Sequence, residues 1–323
     1  MIGGSQLGIQ RMLPKQSRHS ETERSDLPGA CLFCEHPQPT YWFSKRSKHN
    51  GRPYPLFRCS NCGGAFVFPV PSEQELHDFY TSPQSALEVS LRADDPLDQY
   101  NQAIQEEVEF PNSTLDAKRI ADNLKRLAPG TRALDVGSGY GFFSRALAEA
   151  GFSVDAIELG EASRKIHARM NGFEPKAEPF NSDFAGRNAA SYDAILLSQV
   201  LEHLPMDADP IKSLHVLLRT NGVCAIAIPH FRSYLSILQG KGDMFISPPE
   251  HLNYFTVKGL SDAFASRGFQ TIKCETVSRF DYRKFKKRFG SLSPMPSLAL
   301  KGFLGFSALM DKGMFINGYF RKL

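Results

Sequence analysis

The 323-residue chain lacks several features that would each have set its class. No run of about 18 apolar residues occurs, so no helix of the length that spans a bilayer is expected. The N-terminus has no continuous apolar segment of the kind a secretory signal needs; from Ser5 to Asp26 it is mostly Ser, Arg, Gln and Glu. This composition argues for a disordered leader (1–28) and a cytoplasmic chain. The formal net charge of +4 is too small to demand a polyanionic partner. A dinucleotide fingerprint beginning at Gly137 needs glycine at position 142, and Phe142 stands there. Cysteine is sparse, six in all. Cys224 and Cys274 lie singly in strand-like runs and read as small core residues, whereas the other four form two close pairs.

What is present is organised around Thr131-Arg-Ala-Leu-Asp-Val-Gly-Ser-Gly-Tyr-Gly-Phe-Phe143. Leu134 to Val136 has the character of a short buried strand, the glycines of a tight loop, and Phe142 to Ala150 of a helix opening on that loop. Ser153-Val-Asp-Ala-Ile-Glu158 then reads as a second strand ending in an acid. Strand, glycine loop and helix make a nucleotide-type crevice at the carboxyl edge of a parallel sheet, with the acid about twenty residues on placed for ribose hydroxyls. The pattern Asp135-x-Gly137-x-Gly139-x-Gly141 resembles the first motif of class I S-adenosylmethionine-dependent methyltransferases. The resemblance implies a doubly wound α/β fold with a seven-stranded, mostly parallel sheet. In that family the loop (here Gly137, Ser138, Gly139, Gly141 and Phe142) runs under the methionine part of the cofactor. Asp135 would help hold its amino group, and Glu158 with Leu159 would face the ribose. For the adenine amine, Glu178, Asn181 and Asp183 are equal candidates.

The cysteine pairs Cys31-Leu-Phe-Cys34 and Cys59-Ser-Asn-Cys62 have 24 residues between them. Two such knuckles can bring four thiolates to one tetrahedral structural zinc ion; a redox motif usually stands alone beside a βαβ unit. Lys45, Arg46, Lys48, His49 and Arg52 alternate with Tyr41, Trp42, Phe43 and Tyr54, either as a nucleic-acid surface or as the core and solvated face of a small module. Ser72 and Glu75 form a capping box opening a helix that ends Phe79-Tyr80. The run from Cys31 to Tyr80 resembles the zinc-bearing leader of bacterial sugar C-methyltransferases. The expected organisation is a zinc module (29–80), a connecting or lid segment (81–112) offering Tyr80 and Tyr100, and a methyltransferase domain (113–323) with an insertion at 279–312.

Ala194 to Leu197 reads as a buried strand whose end, Ser198-Gln199, faces the same crevice. Val200-Leu-Glu-His-Leu204 resembles the corresponding segment of ubiquinone-type and sugar-modifying methyltransferases, where Glu-His begins a helix beside the acceptor site; His203 is therefore a candidate general base. Metal-dependent small-RNA 3′-end methyltransferases carry a further Glu three residues earlier. Here that position is Gln199, a poor ligand for a hard cation. Pro248 to Thr256 resembles the family loop that walls the acceptor pocket, which adds His251 and Tyr254 as catalytic candidates in contact with the acceptor, His251 being the alternative base to His203. Thr256 is placed to cap the next helix. Gln270 to Ser278 and Met314 to Phe320 are expected to pair as antiparallel strands, and Phe173 to Ala177 to form a short strand. The basic cluster at 282–289 and the apolar run to 310 suit either a membrane surface or a cap over the acceptor site. The expected partner is a small molecule such as a nucleotide sugar or polysaccharide precursor. RNA is the second reading, a non-catalytic zinc adaptor the third, and nothing in the sequence sets an oligomeric state.

Overall fold

The computed structural model describes residues 27–80, 112–278 and 310–323, together with positions 98, 101, 105, 302 and 305–307. The expectations for the leader, for the lid tyrosine Tyr100 and for the basic cluster at 282–289 lie outside these residues, and of Tyr80 only the backbone is described.

Strand β4 (Arg132–Val136) sits in a six-stranded sheet of order β5-β4-β6-β7-β10-β9. Its partners are β5 (Ser153–Ile157) and β6 (Tyr192–Ser198), both parallel, and β7 (Leu218–Pro229) continues the parallel set. Strand β10 (Phe315–Lys322) runs antiparallel to β9 (Phe269–Val277), as expected, and on its other side antiparallel to β7. The central strands are buried on both faces, so alternate residues feed two cores. Ala133, Leu196, Ala225 and Tyr319 meet Ile120 and Leu124 of helix α2 (Asn112–Leu127) on one face. Leu134, Ile195, Leu197 and Ile226 meet Ile211, Leu214, Leu260 and Phe264 on the other. The sheet is the doubly wound one expected, with a difference at its edge. The predicted strand from Phe173 reduces to a single parallel bridge between Ile157 and Lys176. Pro175 and Pro179 flank it, and proline has no N–H to extend a ladder.

A second, four-stranded antiparallel sheet has the order β1-β2-β3-β8. Strands β1 (Thr40–Arg46), β2 (Pro53–Arg58) and β3 (Ala65–Val67) come from the cysteine-bearing segment, but β8 (Asn253–Tyr254) belongs to the loop carrying His251. Ala65 pairs with Tyr254 and Phe66 with Asn253. Helix α1 (Glu73–Tyr80) closes this part, and half of the expected capping box forms: the Glu75 amide donates to Ser72 Oγ at 3.2 Å, while the Glu75 carboxylate accepts instead from Arg52 and Tyr54. Cys31, Phe33, Cys59, Cys62, Phe66 and Phe255 pack in the same buried cluster as the helices under the large sheet, so the two sheets share one core. Cys224 is fully buried in β7 and Cys274 is partly buried in β9, the packing roles expected of them.

Candidate functional site

The loop after β4 turns back on itself because three of its glycines take left-handed backbone, with φ of 64° at Gly137, 52° at Gly139 and 92° at Gly141. Two of them also lack room for a side chain. A Cβ on Gly137 would lie 2.6 Å from Val200 Cγ2, and one on Gly141 would meet the His167 ring and the Asn171 amide. Gly139 differs, since a Cβ there would meet nothing within 4 Å. It borders a cleft of about 500 Å³ lined by Asp135, Gly137 to Phe143, Ser198, Gln199 and, from the neighbouring strands, Ala227, Phe315 and Asn317. The β6–β7 register sets Ser198 beside Ala227, which is why these ends meet. Helix α3 (Phe142–Glu149) begins at the cleft, so its first amides and the positive end of its dipole face the space.

Asp135 is buried at the cleft floor, where Ser144 Oγ donates to its carboxylate at 2.6 Å. Burial pushes its carboxyl up to about 7, against the lowering effect of the Ser144 hydrogen bond. Glu158 lies at the end of β5 and clamps the loop: its carboxylate accepts from the amides of Gly139 at 2.9 Å and Gly160 at 2.7 Å. Leu159 is 60% exposed and is not part of the cleft wall. Of the adenine candidates, Asn181 caps the short helix Ser182–Arg187 by accepting from the Phe184 amide, and Glu178 pairs with Arg187. Sequence reasoning missed Asp116, Tyr140, Phe143, Phe315 and Asn317 in the lining. Tyr140 could have been found from its place between two loop glycines. Phe315 and Asn317 follow from strand parity once β10 is paired with β7.

A second cluster follows the Gln199 edge. The expectation that Glu202 and His203 begin a helix is corrected here. Leu201 to His203 forms a turn, and only Met206–Ala208 is helical, as one 3₁₀ turn. Pro205 interrupts the amide ladder, and the carbonyls that would feed it are occupied. The amides of Leu252 and Asn253 donate to the Glu202 carbonyl at 2.8 and 3.0 Å. The Asn253 side chain donates to the carbonyls of Leu204 at 2.7 Å and Leu201 at 3.2 Å. His203 Nδ1 donates to the Glu250 carbonyl at 2.7 Å, and His251 Nδ1 to the Phe245 carbonyl at 2.8 Å. The two rings stand edge to face with centroids 4.7 Å apart. Burial, with His251 beside it, lowers His203 to about 3 despite the carbonyls of Glu250 and Gln199, so it is a neutral and weakly basic imidazole. Burial lowers His251 as well.

Glu202 is 1% exposed, and neither carboxylate oxygen has a hydrogen-bond partner. Burial raises it to about 8. One ligand atom each from Glu202, His203 and His251 lies within 4.8 Å of the others, a set able to hold a cation. Gln199 adds no charge to it, and its Nε2 instead donates to the Ala227 carbonyl at 3.2 Å. Tyr254 is not brought to the cleft: it is buried and donates its hydroxyl to the His251 carbonyl at 2.8 Å.

The four N-terminal cysteines converge as the sequence predicts. Cys31 and Cys62 sulfurs lie 3.8 Å apart, and those of Cys34 and Cys59 3.6 Å. Tetrahedral zinc with Zn–S bonds of about 2.3 Å requires sulfur separations of about 3.8 Å. The Phe33 amide points at Cys31 Sγ at 3.5 Å, and the hydrogen bond from Cys62, with backbone amides, draws the Cys31 thiol down to about 5.

The sequence profile of a family described as "Methyltransferase domain" matches residues 112–273, half of the chain. Ubiquinone biosynthesis O-methyltransferase from Bordetella avium is 36% identical over 99 residues, 29% of this chain and 40% of that protein. The protein of the same name from Actinobacillus pleuropneumoniae is 31% identical over 149 residues, 39% of this chain and 63% of that one. The chain thus spans less than two thirds of the length of these relatives. A crystal structure of a SAM-dependent methyltransferase from Archaeoglobus fulgidus aligns with 68% of this chain and 99% of its own, at 15% identity and a TM-score of 0.49. With the profile covering the strand, the glycine loop and the Asp135-to-Gln199 cleft, the chain belongs to the class I S-adenosylmethionine-dependent methyltransferases.

Proposed function

We propose that the protein transfers a methyl group from S-adenosylmethionine to a small-molecule acceptor, of the nucleotide-sugar or polysaccharide-precursor class. The observation that carries the cofactor half is the open cleft above Gly139, floored by Asp135 and bordered by the α3 N-terminus. Methyl transfer from a sulfonium needs no covalent intermediate; the protein has to hold the acceptor in line and exclude water. The acceptor edge is assigned to His203 and His251, whose orientation the Glu250 and Phe245 carbonyls hold.

As a neutral, weakly basic group, His203 is better suited to accepting a hydrogen bond or binding a cation than to deprotonating an acceptor alone. Glu202, with its unpartnered oxygens, fits the same use, and a nitrogen-rich set without a second acid favours a transition-type divalent ion over magnesium. Such an ion, when bound, would polarise an acceptor oxygen. The four N-terminal thiols are assigned to a closed structural zinc site, with no open position for chemistry.

The alternative of RNA as acceptor draws less support. Lys45 donates to the Lys241 carbonyl, Arg46 to the Gly51 carbonyl and Arg52 to Glu75. Trp42 packs on Phe43 and Phe231 and lies under Arg58. These named cations and Trp42 already have partners within the protein, although Tyr41 stays exposed. Calorimetry tests the reading. Wild type is expected to bind S-adenosylmethionine and Gly139→Arg, whose side chain enters the cleft, to lose it. Absence of binding by wild type would leave the adaptor reading, and steeply salt-dependent RNA binding would restore the RNA one.

A further inference from the structure

We propose that Asn253 is a positioning residue through which the four-thiol site sets the geometry of His203 and His251. Three sets of contacts lead from the thiols to the histidines. Phe33, between Cys31 and Cys34, packs on Phe255 with centroids 4.3 Å apart and planes tilted by 31°, and meets Phe66 edge on. Thr256 Oγ1 donates to the Cys62 carbonyl at 2.6 Å while accepting from the Gly259 amide, so the second knuckle fixes the start of helix α8 (Val257–Ala265). Strand β3, which begins three residues after Cys62, pairs with Asn253 and Tyr254, and the Val67 amide donates to the Leu252 carbonyl at 2.9 Å.

From β8 two side chains continue the path: Tyr254 donates its hydroxyl to the His251 carbonyl at 2.8 Å, and Asn253 reaches the turn that carries His203. Asn253 is 3% exposed, and its amide group bridges the carbonyls of Leu201 and Leu204 around His203. An aspartate or leucine of similar size has no donor for those carbonyls, and the Leu201 carbonyl would keep just the 3.4 Å bond from the Leu204 amide. The same backbone carries Glu250 and His251 immediately before β8, so one short segment orients both imidazoles. At the cofactor end of the cleft, Asp135, Gly139 and Glu158 are held by Ser144 and the loop amides rather than by this segment. Loss of the thiol-bound metal should therefore uncouple the histidine pair and spare cofactor binding.

The acceptor side of this proposal rests on the functional reading above, so the test reads the imidazoles directly. The full-length protein, labelled with ¹⁵N-histidine, is followed by long-range ¹H–¹⁵N NMR, with zinc content and S-adenosylmethionine affinity measured in parallel. Wild type should show His203 and His251 as Nδ1–H tautomers with slowly exchanging protons. Asn253→Ala should keep its zinc and bind cofactor within about twofold of wild type, yet lose those signals; zinc-stripped wild type should behave the same way. Turnover, once an acceptor is known, should fall about a hundredfold in kcat at unchanged cofactor KM. Persistence of both imidazole signals in Asn253→Ala or in the stripped protein overturns the proposal. So does a parallel collapse of cofactor affinity and folding, which would make the module a general support. If wild type binds no cofactor, the functional reading falls, and the imidazole measurement still decides the positioning role.

Discussion

Asp135 is a buried acid at the floor of an open cleft, and its environment has a consequence for pH. Burial lifts its folded-state pKa from the model-peptide range to about 7. A raised carboxyl pKa means that the folded apo protein retains a proton the unfolded chain has already lost, so apo stability falls as pH rises towards 7. On the proposed reading, cofactor binding has the opposite sign, because a cofactor ammonium group would pair with the ionised carboxylate. Affinity for S-adenosylmethionine is thus expected to be flat above about pH 7 and to fall by up to tenfold for each unit below it. Asp135→Asn should bind weakly at every pH. Titrating affinity by calorimetry from about pH 5 to about pH 8 checks this; a flat wild-type profile contradicts it. Glu202 presents the same physics at the other cluster: burial pushes it up to about 8, and no other side chain donates to its carboxylate among the described residues. Neither burial is visible in sequence, where both residues are merely acids beside hydrophobic strands.

At the scale of elements, what was legible is what local chemistry determines. The β4–loop–α3 unit announces itself because a buried strand, three left-handed glycines and a helix start each leave a local pattern. The β9–β10 pair and the Ser72 and Thr256 caps were legible for the same reason. The turn at Leu201 to Leu204 was not, since the local pattern favours a helix and a side chain from Asn253, 49 residues away, takes the carbonyls. Strand β8 has two residues, too few for any periodicity, and its pairing with β3 is wholly tertiary. Thr256 links that strand to the second knuckle. Thr256→Val removes both a helix cap and the partner of the Cys62 carbonyl, which together should cost about 2–3 kcal/mol. Denaturant unfolding measures this, and Thr256→Ser is expected to recover most of it; an undisturbed midpoint in the valine variant would show the link to be idle.

Across the whole molecule, the two sheets share one buried cluster, and Gln199 both lines the glycine-loop cleft and meets His203 through its backbone. Among the described residues no helix is long and apolar enough to cross a membrane. The glycine loop speaks for the cofactor, and on the proposed reading acceptor choice falls to the segment between His230 and Thr256, which pairs with the cysteine module. The central claim is methyl transfer to a small molecule. Its most direct test supplies cells with a labelled methyl donor and compares small-molecule extracts from strains carrying wild type or Gly139→Arg. A labelled species present with wild type and missing with the variant is the predicted result. Identical labelling of small molecules in both strains, or a difference confined to RNA, would contradict it.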